Sequence, residues 1–110
     1  MVTVAETGEF FRRAHGLFAE AEREALIFYL SCHPEAGELI RETGGLRKLR
    51  WSAGGKGKRG GARVIYYFHS ERMPLYLLTV YAKGEKVDLS SEERRGLSKL
   101  ADMLRQANGL

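Results

Sequence analysis

Eight cationic side chains, Arg41, Arg47, Lys48, Arg50, Lys56, Lys58, Arg59 and Arg63, fall in a stretch whose single acid is Glu42. Its centre is punctuated by glycine, GGKGKRGG over residues 54–61, and a strand-like run, VIYYFH, follows directly. Glycine lets a backbone approach a phosphate closely, lysine supplies a point charge, and arginine grips phosphate oxygens in pairs. Such a surface suits a polyanion, RNA foremost. It also permits RNA cleavage without a metal. The 2′-hydroxyl attacks the adjacent phosphate, leaving a 2′,3′-cyclic end and a free 5′-hydroxyl. The protein must align the hydroxyl, stabilise charge on the phosphorane and move two protons. Arginine is a good clamp but a poor base, because its pKa stays above about 12. A lysine crowded by other cations can have its pKa lowered enough to serve as base.

The positive charge is local. Residues 1–40 carry three bases against seven acids and residues 64–110 seven against six, so the stretch 41–63, eight against one, supplies the net +4. A local basic patch is the electrostatic footprint of a nucleic-acid surface. The competing reading is a solvated, solubilising loop. One-signed charge interleaved with glycine favours the polyanion. The formal fingerprint Gly55-x-Gly57-x-x-Gly60 is rejected for dinucleotides, since that motif opens a helix and here a strand follows. His15, His33 and His69 have no zinc-motif spacing, so neither a metal nor a cofactor is expected. His69, at a strand end, reads as a surface histidine, with a place in a catalytic groove as the alternative. Trp51, Tyr66, Tyr67, Tyr76 and Tyr81 lie beside the basic strands and read mostly as core, with stacking on bases as the alternative.

These side chains need a scaffold, and 110 residues suffice for one domain with a modest core. Cys32 is alone and lies in an apolar stretch, which predicts a small core residue and no disulfide framework. The N-terminus lacks a charged-then-apolar leader pattern, and the longest apolar run, Ala25 to Leu30, is far shorter than the roughly 20 residues a spanning helix needs. A cytoplasmic protein with no membrane association is expected.

Residues 1–5 predict a short strand. Thr7 predicts an N-cap for a helix burying Phe10, Phe11 and Ala14, interrupted at Gly16. A second helix is expected from about Phe18 to Ser31, its ALIFYL portion buried on most sides, with Pro34 barring continuation. PEAGELI predicts a turn or short helix before Gly44-Gly45. Period-two strands are expected at Leu46–Trp51, Arg63–His69 and Leu75–Ala82. The first carries Lys48 and Arg50 on one face and Leu49 and Trp51 on the other. The other two, apolar on both faces, are predicted central. A flexible hairpin loop over 52–61 joins the first pair. Ser90 begins a capping box with Glu93, opening a helix through Leu97, Leu100, Ala101 and Leu104 that ends at Asn108-Gly109. The fold class is α+β: an antiparallel-rich sheet, two N-terminal helices packed on it, and a C-terminal helix.

At GGLRKLRW, GKGKRGGARVIYYF and LYLLTVYAKGEK the sequence resembles the RelE/HigB-type toxins of bacterial toxin–antitoxin pairs, the HigB-like branch in particular. The resemblance follows element order over almost the whole chain and is specific in residues 44–86. It implies a small α+β ribonuclease-like fold, cleavage of mRNA in the ribosomal A site, and neutralisation by a cognate antitoxin, commonly of helix-turn-helix type. It also maps the family's basic strand onto Lys48 and Arg50, and the arginine opening the next strand onto Arg63. The RelE branch has a further lysine where Leu46 stands, next to Arg47. It has an arginine and a tyrosine where Gly84 and Ser90 stand, with Lys83 and Lys86 as the nearest cations.

The resulting assignment is catalytic for Lys48, Arg50, Arg63 and Lys83, with proton transfer open between Lys48 and Lys83. Arg47, Lys56, Lys58, Arg59 and Lys86 are assigned to RNA binding. A gyrase poison like the ParE branch, on the same fold, and a non-enzymatic RNA-binding module are the rival functions.

Overall fold

The computed structural model describes residues 1–52 and 61–110. Lys56, Lys58 and Arg59 lie outside them. The elements in chain order are β1 (Val4–Glu6), α1 (Gly8–His15), α2 (Glu20–Cys32), β2 (Glu38–Leu39), β3 (Leu46–Trp51), β4 (Ala62–Tyr67), β5 (Leu75–Ala82) and α3 (Ser91–Ala107). The five strands form one sheet in the order β1-β5-β4-β3-β2. Only the β1–β5 pair is parallel, so the sheet is mixed. The apolar strands β4 and β5 are interior, as a run buried on both faces requires.

Alternation along the strands builds two layers of packing. On one face Val64, Tyr66, Leu75, Leu77 and Val80 meet Phe10 and Ala14 of α1 and Leu26 and Leu30 of α2. On the other, Leu46, Tyr67 and Leu78 meet Ala101, with Leu97, Leu100 and Leu104 packed alongside. The β4–β5 register slips between Ile65 and Tyr66: Ile65 pairs with Thr79 and Tyr66 with Leu77. Leu78 is thereby left without a cross-strand partner, a bulge that shifts the alternation so that Val80 follows Leu77 on the face of α1 and α2.

The helix ends follow local chemistry. Thr7 accepts from the Phe10 N–H, and Ser90 and Glu93 form the reciprocal capping box. Where β1 ends, opposite Leu77, side chains help to satisfy the edge of β5. The Thr7 hydroxyl donates to the Leu77 and Leu78 carbonyls, and Arg13 Nε donates to the Val80 carbonyl at 2.7 Å.

Some expectations are corrected. Phe11 is exposed although Phe10 and Ala14 are buried. In α2 only Leu26 and Leu30 are buried apolar residues, while Phe28 is 63% exposed. A helix on the outside of a layered domain buries one stripe, however apolar its sequence. Cys32, at the end of that helix, is exposed and not a core residue. Residues 34–40 open with the expected turn, the Ala36 N–H donating to the His33 carbonyl at 3.1 Å, but form no helix. They supply the short edge strand β2, its Glu38 and Leu39 paired with Lys48 and Arg47.

That edge is held by a buried phenol. The Tyr66 hydroxyl donates to the Pro34 carbonyl and accepts from the Gly37 N–H, both at 2.8 Å. Gly37 is required there: a Cβ would lie 2.9 Å from the Tyr66 ring and 3.0 Å from the Lys48 carbonyl oxygen. Tyr66→Phe leaves the Gly37 N–H buried without its partner, which costs about 1–3 kcal/mol. The expected result is a lower urea midpoint together with faster hydrogen exchange at Gly37 and β2. Exchange unchanged at Gly37 would refute the role given to this hydroxyl.

Candidate nucleic-acid interface

The helix α3 covers only part of its face of the sheet. It packs over Leu46, Tyr67 and Leu78, leaving the end at Trp51, Ala62 and Ala82 open. With period two, Lys48 and Arg50 of β3 share the face of Leu46. The antiparallel register sets Arg50 directly opposite Arg63, and Arg63 in turn opposite Tyr81 of β5. Lys83 follows β5 immediately, its N–H donating to the Gly61 carbonyl at 3.1 Å. The result is an open groove of about 710 Å³. Lys48, Arg50 and Arg63 line it together with Ala36 and Glu38 on the β2 side and Lys83 and Val87 on the other. All four residues assigned to catalysis are thus brought together, though Lys83 is 20 positions from Arg63.

Their partners differ. Lys48 Nζ lies 3.4 Å from an Asp88 oxygen. Burial opposes ionisation of Asp88, but the Leu89 N–H and the Lys48 charge outweigh it, holding the carboxyl below its ordinary range. The Arg50 and Lys83 side chains make no ion pair among the described residues. Tyr81 is buried, and burial, reinforced by the charge of Asp88, raises its phenol pKa. It stays protonated, and its hydroxyl has no hydrogen-bond partner among the described residues.

The side chains assigned to RNA binding are placed otherwise. Arg47 projects to the opposite face, where its guanidinium donates to the carbonyls of Glu35 and Gly37, at 3.2 and 2.7 Å. Together with Tyr66 it anchors the segment before β2. Lys86 Nζ sits 2.6 Å from Glu93 and 5.2 Å from the centre of the Tyr81 ring. The described ends of the glycine-rich segment, Ser52 and Gly61, emerge two residues from Arg50 and Arg63. Gly61 has φ +55°, and a Cβ there would meet the Trp51 carbonyl oxygen at 2.5 Å, so this close approach of strand ends needs glycine. His69 is exposed at the far end of β4 from Arg63. Tyr66, Tyr67 and Tyr81 are buried, so core is their structural role.

Two carboxylates of this site were missed by sequence reasoning. Glu38 lines the groove and Asp88 pairs with its lysine. Nothing in their spacing marks them. Glu38 reads as one of seven acids in an acidic N-terminal region, and only the β2–β3 register sets it opposite Lys48. Among the described residues no group of three or more His, Cys, Asp or Glu side chains is placed to hold a metal. Nor is any described helix long and apolar enough to cross a membrane. No protein-family model matches the chain. Fold and site together define a small α+β domain with a cation-lined groove at the open end of its sheet.

Because the Asp88 pKa is lower folded than unfolded, its contribution is present above about pH 4 and is lost as pH falls through the folded value. Asp88→Asn is therefore expected to shrink the stability loss as pH falls below about 4, measured as urea midpoints against pH. Identical acid limbs in the two proteins would exclude this contribution.

Proposed function

We propose that the protein is the toxin of a toxin–antitoxin pair, a metal-independent, ribosome-dependent mRNA endonuclease that halts translation in the cytoplasm. The observation that carries this reading is the pairing of Arg50 with Arg63 across β3 and β4, flanked by Lys48 and Lys83 in one groove. Like charges set directly opposite are unfavourable in a sheet. A phosphate between the two guanidiniums removes that repulsion. The resemblance of residues 44–86 to the RelE/HigB-type toxins supports the same reading.

In this mechanism Arg50 and Arg63 grip the scissile phosphate and stabilise charge as the phosphorane forms. A lysine takes the proton of the attacking 2′-hydroxyl. Lys83 is the better candidate, because the charge of Lys48 is already engaged by Asp88. Lys48, the other lysine of the groove, gives a proton to the departing 5′-oxygen, and the groove holds the 2′-hydroxyl in line. Lys56, Lys58 and Arg59 bring further charge to messenger or ribosomal RNA. A cognate antitoxin of helix-turn-helix type, acidic or helical where it meets the groove, is the expected partner.

The test is induction of the chain in bacteria, with mRNA 5′ ends mapped within minutes. New ends at fixed codon positions in translated messages are expected. Arg63→Ala should reduce them by about 100-fold or more while the protein stays folded. Growth arrest with intact messages and induced DNA damage would replace this reading by a gyrase poison. RNA binding without cleavage or arrest would replace it by a plain binding module. A folded, fully toxic Arg63→Ala protein would remove Arg63 from the site.

A further inference from the structure

A second groove, of about 820 Å³, lies between the turn after β2 and the N-terminal half of α3. Four cations line it, Arg41 from the turn and Arg94, Arg95 and Lys99 from the helix, against Glu42 and Asp102. None of the four makes an ion pair among the described residues, and Asp102 is turned to Arg105 at 3.7 Å. The groove is rigidly built. Ser98 Oγ donates to the Thr43 carbonyl and Thr43 Oγ1 to the Ile40 carbonyl, both at 2.6 Å, which ties the turn to the helix. Glu42 within it holds φ at 59°.

Helix stability does not account for these cations. Arg95 and Lys99 are like charges at i and i+4, which destabilises a helix. Arg94 also stands at the end of the first turn, where the backbone dipole disfavours positive charge. A placement that is unfavourable locally points to a ligand. The position of the groove says which. Glu38 lines the first groove and Arg41 the second, while Asp88 pairs with Lys48 of the first and Ser91 lines the second. Both connecting segments are three residues long, at most about 10 Å. The two grooves are therefore neighbours along one seam between β2 and α3.

We propose that Arg41, Arg94, Arg95 and Lys99 form a second phosphate track that holds RNA continuing out of the first groove. Three of the four are guanidiniums, which match phosphate oxygens in pairs. This rests on the reading of the first groove as an RNA site, and it adds that the bound RNA spans both.

The test is the salt dependence of binding of fluorescent single-stranded RNAs, one of four nucleotides and one of sixteen. The proteins compared are wild type, Arg95→Glu/Lys99→Glu, and Arg41→Ser, which lies on a separate element. Arg41, Arg95 and Lys99 are exposed, and thermal melts check that folding persists. On the longer RNA the double variant should lower the log–log salt slope by about 1.4, two contacts at roughly 0.7 each, and Arg41→Ser by about 0.7. On the tetranucleotide no change is expected. Equal slopes for all three proteins on the longer RNA would overturn the proposal, as would loss of binding to an acidic polypeptide with RNA binding retained. If the slopes shift as expected while no message is cut in cells, the second track stands and the nuclease reading falls. If messages are cut and the slopes do not shift, the reverse holds.

Discussion

The constraint on which the rest depends is the antiparallel register of β3 with β4. It sets Arg50 and Arg63 opposite each other across the two strands, and like charges so placed are unfavourable in a sheet. That register is not free to slip. A shift by one residue would move Lys48 and Arg50 to the face packed against α1 and α2, and would turn Leu49 and Trp51 out of it. The apolar core therefore enforces the charge cluster. Glycine permits it at the strand mouth, where Gly61 lies too close to the Trp51 carbonyl oxygen for any side chain.

The two faces of the sheet divide the labour. One is covered by α1 and α2, and α3 covers only part of the other. The uncovered part, walled by β2 on one side and residues 83–88 on the other, is the groove. Its walls depend on polar contacts within the domain. Tyr66 and Arg47 hold the segment before β2, and Asp88 holds Lys48. In the proposed mechanism these groups only keep the four cations where a phosphate can meet them all at once. Binding of an anion is then favoured by relief of repulsion among groups already in place.

Within the proposed function, charge pattern and resemblance support RNA independently. The pattern explains why a polyanion fits. The resemblance adds a target, the translating ribosome, which no groove geometry specifies. Cations also line the second groove on α3, where neither the glycine-rich motif nor the resemblance directs attention.

Much of the scaffold was legible in the chain. Leu46–Trp51 reads as a strand from its alternation, and Leu75–Ala82 from a short apolar run carrying β-branched and aromatic residues. The capping box at Ser90 and the N-cap at Thr7 are local chemistry that needs no distant partner. Lys48, Arg50 and Arg63 could be assigned to one site because neighbouring strands joined by a hairpin must pair. The exposed Cys32, Phe11 and Phe28 were misread because an apolar side chain does not state which side of its helix will find a partner. Glu38, Asp88, the tether of Arg47 and the grouping of Arg41 with Arg94, Arg95 and Lys99 were invisible. Each depends on contacts between residues 10 to 58 positions apart. The sequence by itself determined the elements other than β2, the charge and the pair of strands that carries it, since those follow from neighbours along the chain. Only the tertiary structure decided which cations meet, which are neutralised and which groove stays open, because helix packing and strand order are set by the whole core at once.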